Sequence, residues 1–272
     1  MNKTVSILGC GWLGTRLAKK LIAENFLVKG STTTEEKLQK LEETGITPFL
    51  IDLENDLLTN IEDFLACDYL VINIPPKIRK KGAKHHPEMI KKLTGLFTKQ
   101  KPEKIIYISS TSVYPETGRR MHERDVTTIA KTANTALLET EDHLLNETGI
   151  PASIIRSGGI AGDDRIPGKK AAEKGTPVIP NQPVNLIHFE DLNEIIRLLI
   201  DSGKSGIYNA CTQKHPLRIN VYEANRKIFG FPRPNYQFTP VTPSFKMVTP
   251  RTLLQEFNFT FRFPDPEKFF SN

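Results

Sequence analysis

Apolar positions along the chain keep switching between two spacings. Val5, Ile7 and Leu8 form a compact apolar run, the mark of a strand buried on both faces, and Leu17, Ala18, Leu21 and Ile22 then recur at helical intervals. A second strand follows in FLVKG (26–30), a polar helix in EEKLQKLEE, and a third strand in ITPFLIDL (46–53). YLVIN (69–73), EKIIYISS (103–110) and PASIIR (151–156) continue the strands, with TANTALLETEDHLLNETG reading as a helix stopped by Gly149. This alternation predicts an α/β fold, a doubly wound, mostly parallel sheet with right-handed crossovers. Regularity fades after PASIIR. The segment from Pro167 to Pro183 is rich in glycine and proline, VNLIHF reads as a strand, EDLNEIIRLLID as a helix, and GIYNA as a strand returning to the main sheet. The expected organisation is a ligand-binding core over residues 1–158 and a smaller C-terminal substrate lobe over 159–272, with the strand near 206–210 rejoining the core.

The junction of the first strand and helix carries the sharpest chemical signal. Gly9-Cys10-Gly11-Trp12-Leu13-Gly14 fits G-x-G-x-x-G, the opening of a dinucleotide-binding Rossmann unit. Gly9 makes the tight exit from the strand, Gly11 lets the backbone approach a pyrophosphate, and Gly14 lets helix and sheet pack closely. The amides near Trp12 and Leu13, at the helix start, face the phosphate charge. The second strand ends in Ser31-Thr32-Thr33-Thr34, where an acidic residue would grip the ribose hydroxyls of NAD. Its absence leaves Thr32 and Thr33 as cofactor contacts and turns the expectation towards NADP, with NAD as the alternative and Lys37 as a nearby counter-charge. A competing reading makes Thr33 the cap of the next helix, with Glu36 completing a capping box. Asp52 and Leu53 close the third strand at the ligand-binding end of such a sheet, where Asp52 either accepts from the adenine amino group or caps the next turn. Ile74 and Pro75 break the chain after YLVIN, beside the central part of the cofactor.

Composition narrows the setting. In 272 residues, 38% hydrophobic and 25% charged, no apolar run reaches membrane-spanning length and the N-terminal MNKT leads straight into a strand. A soluble cytoplasmic protein without a membrane partner is expected. Three scattered cysteines suggest neither a disulfide framework nor metal ligation, and His85-His86 lacks supporting ligands, so no metal is assigned. The net charge of +6 favours anionic partners. The basic stretch Lys77, Arg79, Lys80, Lys81, Lys84, Lys91, Lys92 reads either as a solvated loop entering a helix or as an attractor of a phosphorylated substrate. It lacks the aromatic interleaving of single-strand nucleic-acid binders, and no nucleic-acid partner is expected.

Taken together, GCGWLG, IDL, ISSTSVYP, IIRSGGIAG, LIHFEDL and GIYNA resemble the landmarks of the extended short-chain dehydrogenase/reductases, the NAD-dependent epimerase/dehydratase group, and in particular its atypical members. The similarity spans nearly the whole chain. It implies a catalytic role for Ser110, three places before the Val113-Tyr114 pair, as the hydroxyl that holds the substrate oxygen. It makes Tyr114 structural, as it does His188 and Asp191, and it implies pairing into homodimers through helices flanking the sheet. One departure is decisive. The family's Tyr-x-x-x-Lys pair, in which lysine lowers the pKa of a proton-exchanging phenol, is missing: no tyrosine here has a lysine four places on, and Ala133 and Leu137 occupy the aligned positions. His122, Glu123 and Lys131 are candidate substitutes. The expected function is an oxidoreductase or epimerase/dehydratase-like enzyme acting on a carbonyl, alcohol or nucleotide-sugar substrate, a small molecule that is phosphorylated or nucleotide-linked; the alternative is a catalytically silent NAD(P)-binding sensor or partner-binding protein.

Overall fold

The computed structural model describes residues 2–97, 101–239 and 244–271. In chain order the first part runs β1 (Thr4–Leu8), α1 (Trp12–Ala23), β2 (Leu27–Thr32), α2 (Leu38–Glu42), β3 (Thr47–Asp52), β4 (Leu57–Leu58), α3 (Ile61–Leu65), β5 (Tyr69–Ile72), α4 (Ile78–Lys81), α5 (His85–Gly95) and β6 (Lys104–Ser110). Next come β7 (Arg119–Met121), α6 (Thr135–Asp142), β8 (Ala152–Ser157), β9 (Gly159–Ala161), α7 (Lys169–Glu173), β10 (Pro177–Val178), β11 (Leu186–His188) and α8 (Phe189–Asp201). The chain closes with β12 (Gly206–Ala210), α9 (Arg218–Phe229), β13 (Asn235–Tyr236), β14 (Lys246–Val248) and α10 (Arg251–Phe257).

Among the described residues, eight strands form one sheet in the order β12-β8-β6-β5-β1-β2-β3-β4. β1 pairs in parallel with both β2 and β5, β2 with β3, and β5 with β6, while the short β4 runs antiparallel against β3. The reversal of strand order on either side of β1 creates the switch point at which ligands bind in open α/β sheets. β1 is central, so Val5, Ile7 and Leu8 are buried, as are Leu70, Val71 and Ile72 beside them. The continuous apolar runs seen in the sequence are therefore two-sided burial in a parallel sheet.

The chain forms two compact units: residues 1–109, 134–155 and 195–207 make one, and 110–133, 156–194 and 208–272 the other. These ranges interleave, where the sequence suggests a boundary after residue 158 with the strand near 206–210 rejoining the core. Within the first unit, Arg197 of α8 pairs with Glu24 and lies over the Phe26 ring at 5.0 Å, and the buried Lys104 donates to the carbonyls of Leu199 and Lys204. Within the second unit, three short parallel pairs, β9 with β11, β10 with β13 and β7 with β14, replace a large sheet. No helix among the described residues is long and apolar enough to cross a membrane.

Candidate functional site

The glycine loop of the first unit is shaped by its own backbone. Gly9 has φ +100°, a conformation that L side chains rarely adopt, and an added Cβ would come 2.7 Å from the Asn73 carbonyl oxygen. A Cβ at Gly14 would collide with the Gly9 carbonyl. Gly11 differs. Its φ is −79°, and a Cβ there would meet nothing within 4 Å, so neither conformation nor packing calls for glycine at this place. The space above Gly11 is open.

That position is the N-terminus of α1, where Gly11 is the cap and supplies no side-chain cap bond. The first turn also lacks acidic residues, which would repel an anion. Ser31 fastens the loop: its Oγ accepts from the Gly9 amide at 2.9 Å, and its carbonyl accepts from the Cys10 amide at 2.8 Å. Asn73 completes the brace by donating through Nδ2 to the Gly9 carbonyl at 3.1 Å. Neither residue stands out at the sequence level, although Ser31 opens the hydroxyl run at the end of β2. Leu13 is buried, whereas Trp12 is half-buried with the Arg16 guanidinium 4.0 Å from its ring centroid. Burial lifts the Cys10 thiol to about 12, which keeps it protonated under the loop.

At the end of β2, Thr32 is buried and Thr33 exposed, and the Thr32 and Thr34 hydroxyls lie 3.4 Å apart. The capping-box reading of Thr33 does not hold. Thr34, not Thr33, precedes the helical turn at Glu35–Lys37, and it makes no side-chain cap. Asp52 uses both carboxylate oxygens on the turn after β3, accepting from the Glu54 amide at 2.9 Å and from Asn55 Nδ2 at 2.8 Å. Leu53 is buried beside it, Ile74 is half-buried and Pro75 exposed.

The basic stretch is largely paired. Glu54 accepts from Lys77 at 2.7 Å, with Lys81 at 3.7 Å and His85 at 3.6 Å, and the Lys77 hydrogen bond above all holds its carboxyl below the usual range. Lys92 pairs with Asp56 and Lys91 with Glu147. The side chain of Arg79 lies outside the described residues. Among the described residues no group of three or more His, Cys, Asp or Glu is arranged to hold a metal ion.

In the second unit, Ser110 is half-buried and caps the turn Thr111–Val113, its Oγ accepting from the Ser112 amide at 3.1 Å. Tyr114 is buried; its hydroxyl donates to Asn209 at 2.7 Å and accepts from the buried Arg156 at 2.9 Å. Burial raises its pKa well above that of an ordinary phenol, so it is held as a neutral strut. Beside Thr111 lies a cleft of about 250 Å³ whose walls include Glu116, Asn185, Arg218, Tyr222 and Lys246.

Known proteins share this architecture. The family model for the NAD binding domain of 6-phosphogluconate dehydrogenase matches residues 4–131. Protein YeeZ of Escherichia coli (strain K12) is 31% identical over 268 residues, covering 97% of each chain. The chain belongs to one family with YeeZ. Its fold is shared with the solved structure of MoeE5 in complex with UDP-glucose and NAD, with a TM-score of 0.78, 18% identity, and coverage of 98% and 96% of the two chains. A putative NAD-dependent epimerase/dehydratase from Methylobacillus flagellatus gives a TM-score of 0.71 at 22% identity over 97% and 95%.

The departures from the resembled Tyr-x-x-x-Lys pattern now have positions. Ala133, aligned with the tyrosine, is exposed and donates its amide to the Val113 carbonyl at 2.9 Å, whereas Leu137, aligned with the lysine, is buried. Of the three candidate substitutes, His122 and Glu123 are engaged in hydrogen bonds. His122 Nδ1 contacts Thr249 Oγ1 at 2.6 Å. Glu123 is buried and accepts the amides of Asn209 and Thr252, both at 3.2 Å. Lys131 is exposed on a single turn. Asp191 accepts the amides of Arg262 and Phe263, and His188 stacks on Phe263 at 3.7 Å, so both fasten the C-terminal segment.

Proposed function

We propose that this protein is an NAD(P)(H)-dependent oxidoreductase or epimerase/dehydratase-type enzyme acting on a carbonyl, alcohol or nucleotide-sugar substrate. The observation that carries this reading is Gly11, a glycine that nothing within the protein requires, above an uncapped helix N-terminus. Gly9, Gly11, Trp12, Leu13 and Gly14 would hold the diphosphate, Ile74 and Pro75 would flank the central part of the cofactor, and Asp52 and Leu53 the adenine. The nicotinamide supplies hydride chemistry when bound. No carboxylate ends β2, and Thr32 and Thr33 with Lys37 nearby would admit the additional phosphate of NADP, which we favour over NAD. MoeE5 is described with UDP-glucose and NAD, which supports a nucleotide-linked small-molecule substrate here.

Ser110 would polarise the substrate oxygen. Its hydroxyl already accepts the Ser112 amide, and that bond would aim its own proton outwards. Assembly as a homodimer and a cytoplasmic setting belong to the same reading.

Titration of the purified protein with NADPH and NADH, followed by fluorescence, is the test. The Gly11→Asp variant should lose binding at least tenfold while melting like the wild type, because aspartate is a good helix cap yet places a negative charge against the diphosphate. Absence of binding to either coenzyme in the wild type refutes the proposal. A second reading, a cofactor-binding sensor without chemistry, is favoured by Ala133 and Leu137 standing where the family's proton-exchanging pair belongs. It predicts bound NADPH that no carbonyl compound oxidises.

A further inference from the structure

We propose that the cleft of the second unit binds the phosphate group of a small phosphomonoester, held between Arg218 and Lys246. Every wall of the cleft belongs to that unit, so the site draws on no residue of the glycine loop and stands without the coenzyme.

Charge sets this cleft apart. In the basic stretch 77–92, which the sequence offers as an attractor of phosphate, Lys77, Lys91 and Lys92 are paired with carboxylates. Arg218 and Lys246 are held differently. Arg218 Nη1 donates to the Ile179 carbonyl at 2.7 Å and to Gln182 Oε1 at 2.8 Å, and Lys246 Nζ donates to the Tyr114 carbonyl at 2.6 Å. Such neutral acceptors aim the two cations without cancelling their charge, and among the described residues neither forms an ion pair. Each retains further N–H donors for a ligand, Nε and Nη2 on Arg218 and two of the three ammonium protons on Lys246.

The mounting is rigid. The Arg218 amide donates to the Gln182 carbonyl at 2.8 Å, and Gln182 Nε2 donates to the Ser244 carbonyl at 2.7 Å, two residues ahead of Lys246. Gln182 thus ties both cationic walls together. Asn185 pins β14 as a peptide group would, donating to the Lys246 carbonyl at 3.0 Å and accepting the Val248 amide at 2.7 Å. The opening amides of α9 are already taken by the Gln182 and Pro180 carbonyls, so an anion meets side chains here and not a bare helix end. Tyr222 lies one turn after Arg218 on the same face of α9 and also lines the cleft. Burial lifts its phenol above the ordinary range, with Arg218 opposing part of the rise, so the hydroxyl it offers is neutral.

Charge and size select the ligand. A phosphomonoester carries about −1.5 to −2 charge near pH 7 and three acceptor oxygens, which matches two cations where a monocarboxylate matches one. The volume of about 250 Å³ falls below the roughly 300–1,000 Å³ of clefts that enclose drug-sized ligands, so a phosphate with a short organic tail fits inside and a whole nucleotide sugar does not. Glu116, an exposed acid of the lining whose carboxylate accepts from Ser244 Oγ at 3.1 Å, opposes any anion. Its neutralisation should therefore tighten binding.

Calorimetry on the full chain without coenzyme tests this, with phenyl phosphate as the probe and malonate and UDP-glucose as comparisons. Arg218→Gln and Lys246→Met should each weaken phenyl phosphate about tenfold or more, and Glu116→Gln should tighten it roughly two- to fivefold. A gain in affinity cannot come from a damaged fold, so Glu116→Gln remains decisive if Arg218→Gln, which loses the Ile179 bond, melts early. Malonate and UDP-glucose should both bind more weakly than phenyl phosphate. The assignment is overturned by a wild type that gives no heat with millimolar phenyl phosphate, by Lys246→Met and Glu116→Gln proteins that bind it as the wild type does, or by malonate or UDP-glucose binding as tightly.

Discussion

The spacing G-x-G-x-x-G assigns its three glycines different tasks, and the fold gives Gly9 and Gly14 a steric reason for theirs. Gly14 is there for packing: a methyl group would press on the Gly9 carbonyl, a backbone atom that cannot swing aside. Gly14→Ala should therefore cost about 1–3 kcal/mol of stability, read as a lower urea midpoint, whereas Gly11→Asp should leave that midpoint almost unchanged. A Gly14→Ala protein as stable as wild type would mean that helix and strand are less closely packed than described. Asn73 escaped the sequence reading for a related reason: a side-chain amide becomes a loop brace only through a partner 64 positions away.

At the scale of elements, α5 packs against β6 through a buried pair, His86 Nε2 and Tyr107 Oη at 2.7 Å. Burial first, then the charge of neighbouring His85, lowers the His86 pKa from 6.5 to about 4, so the native state resists a proton that the unfolded chain accepts. The contribution to stability is complete above pH 6.5 and is lost as pH falls towards 4, with a limit of about 3 kcal/mol for a shift of this size. His188, stacked on Phe263 and also lowered to about 4 by burial, adds in the same direction. Urea unfolding at pH 7, 6 and 5 should show a falling midpoint, and His86→Phe should flatten part of that slope; an unchanged slope would refute the assignment to His86. The main strands and long helices were legible because each is a local period of apolar residues. The short strands β7, β9, β10, β13 and β14 were not, since two or three residues carry no period and their pairing depends on partners far along the chain.

Across the whole molecule, the interleaving of the two units has an energetic consequence. Lys104 opens β6 near residue 100, yet its ammonium is satisfied by the carbonyls of Leu199 and Lys204. Burial lowers it to about 8, so without those acceptors a nearly buried amine would lose its partners. A fragment ending at residue 158, the boundary suggested by sequence, also lacks β12 at the edge of the sheet. It should melt without a sharp transition or fail to stay in solution, whereas the full chain melts cooperatively; a fragment with native-like circular dichroism and a sharp melt would show that the first unit is self-sufficient.

Local spacing was enough to determine the strand–loop–helix opening, the parallel α/β class and the absence of the Tyr-x-x-x-Lys pair, because each is a property of residues a few positions apart. Tertiary structure alone decided that Ser31 and Asn73 brace the loop and that Lys246 lines the cleft beside Thr111. Those relations join residues separated by tens to more than a hundred positions, and chain order does not specify distance between such residues until the backbone has folded.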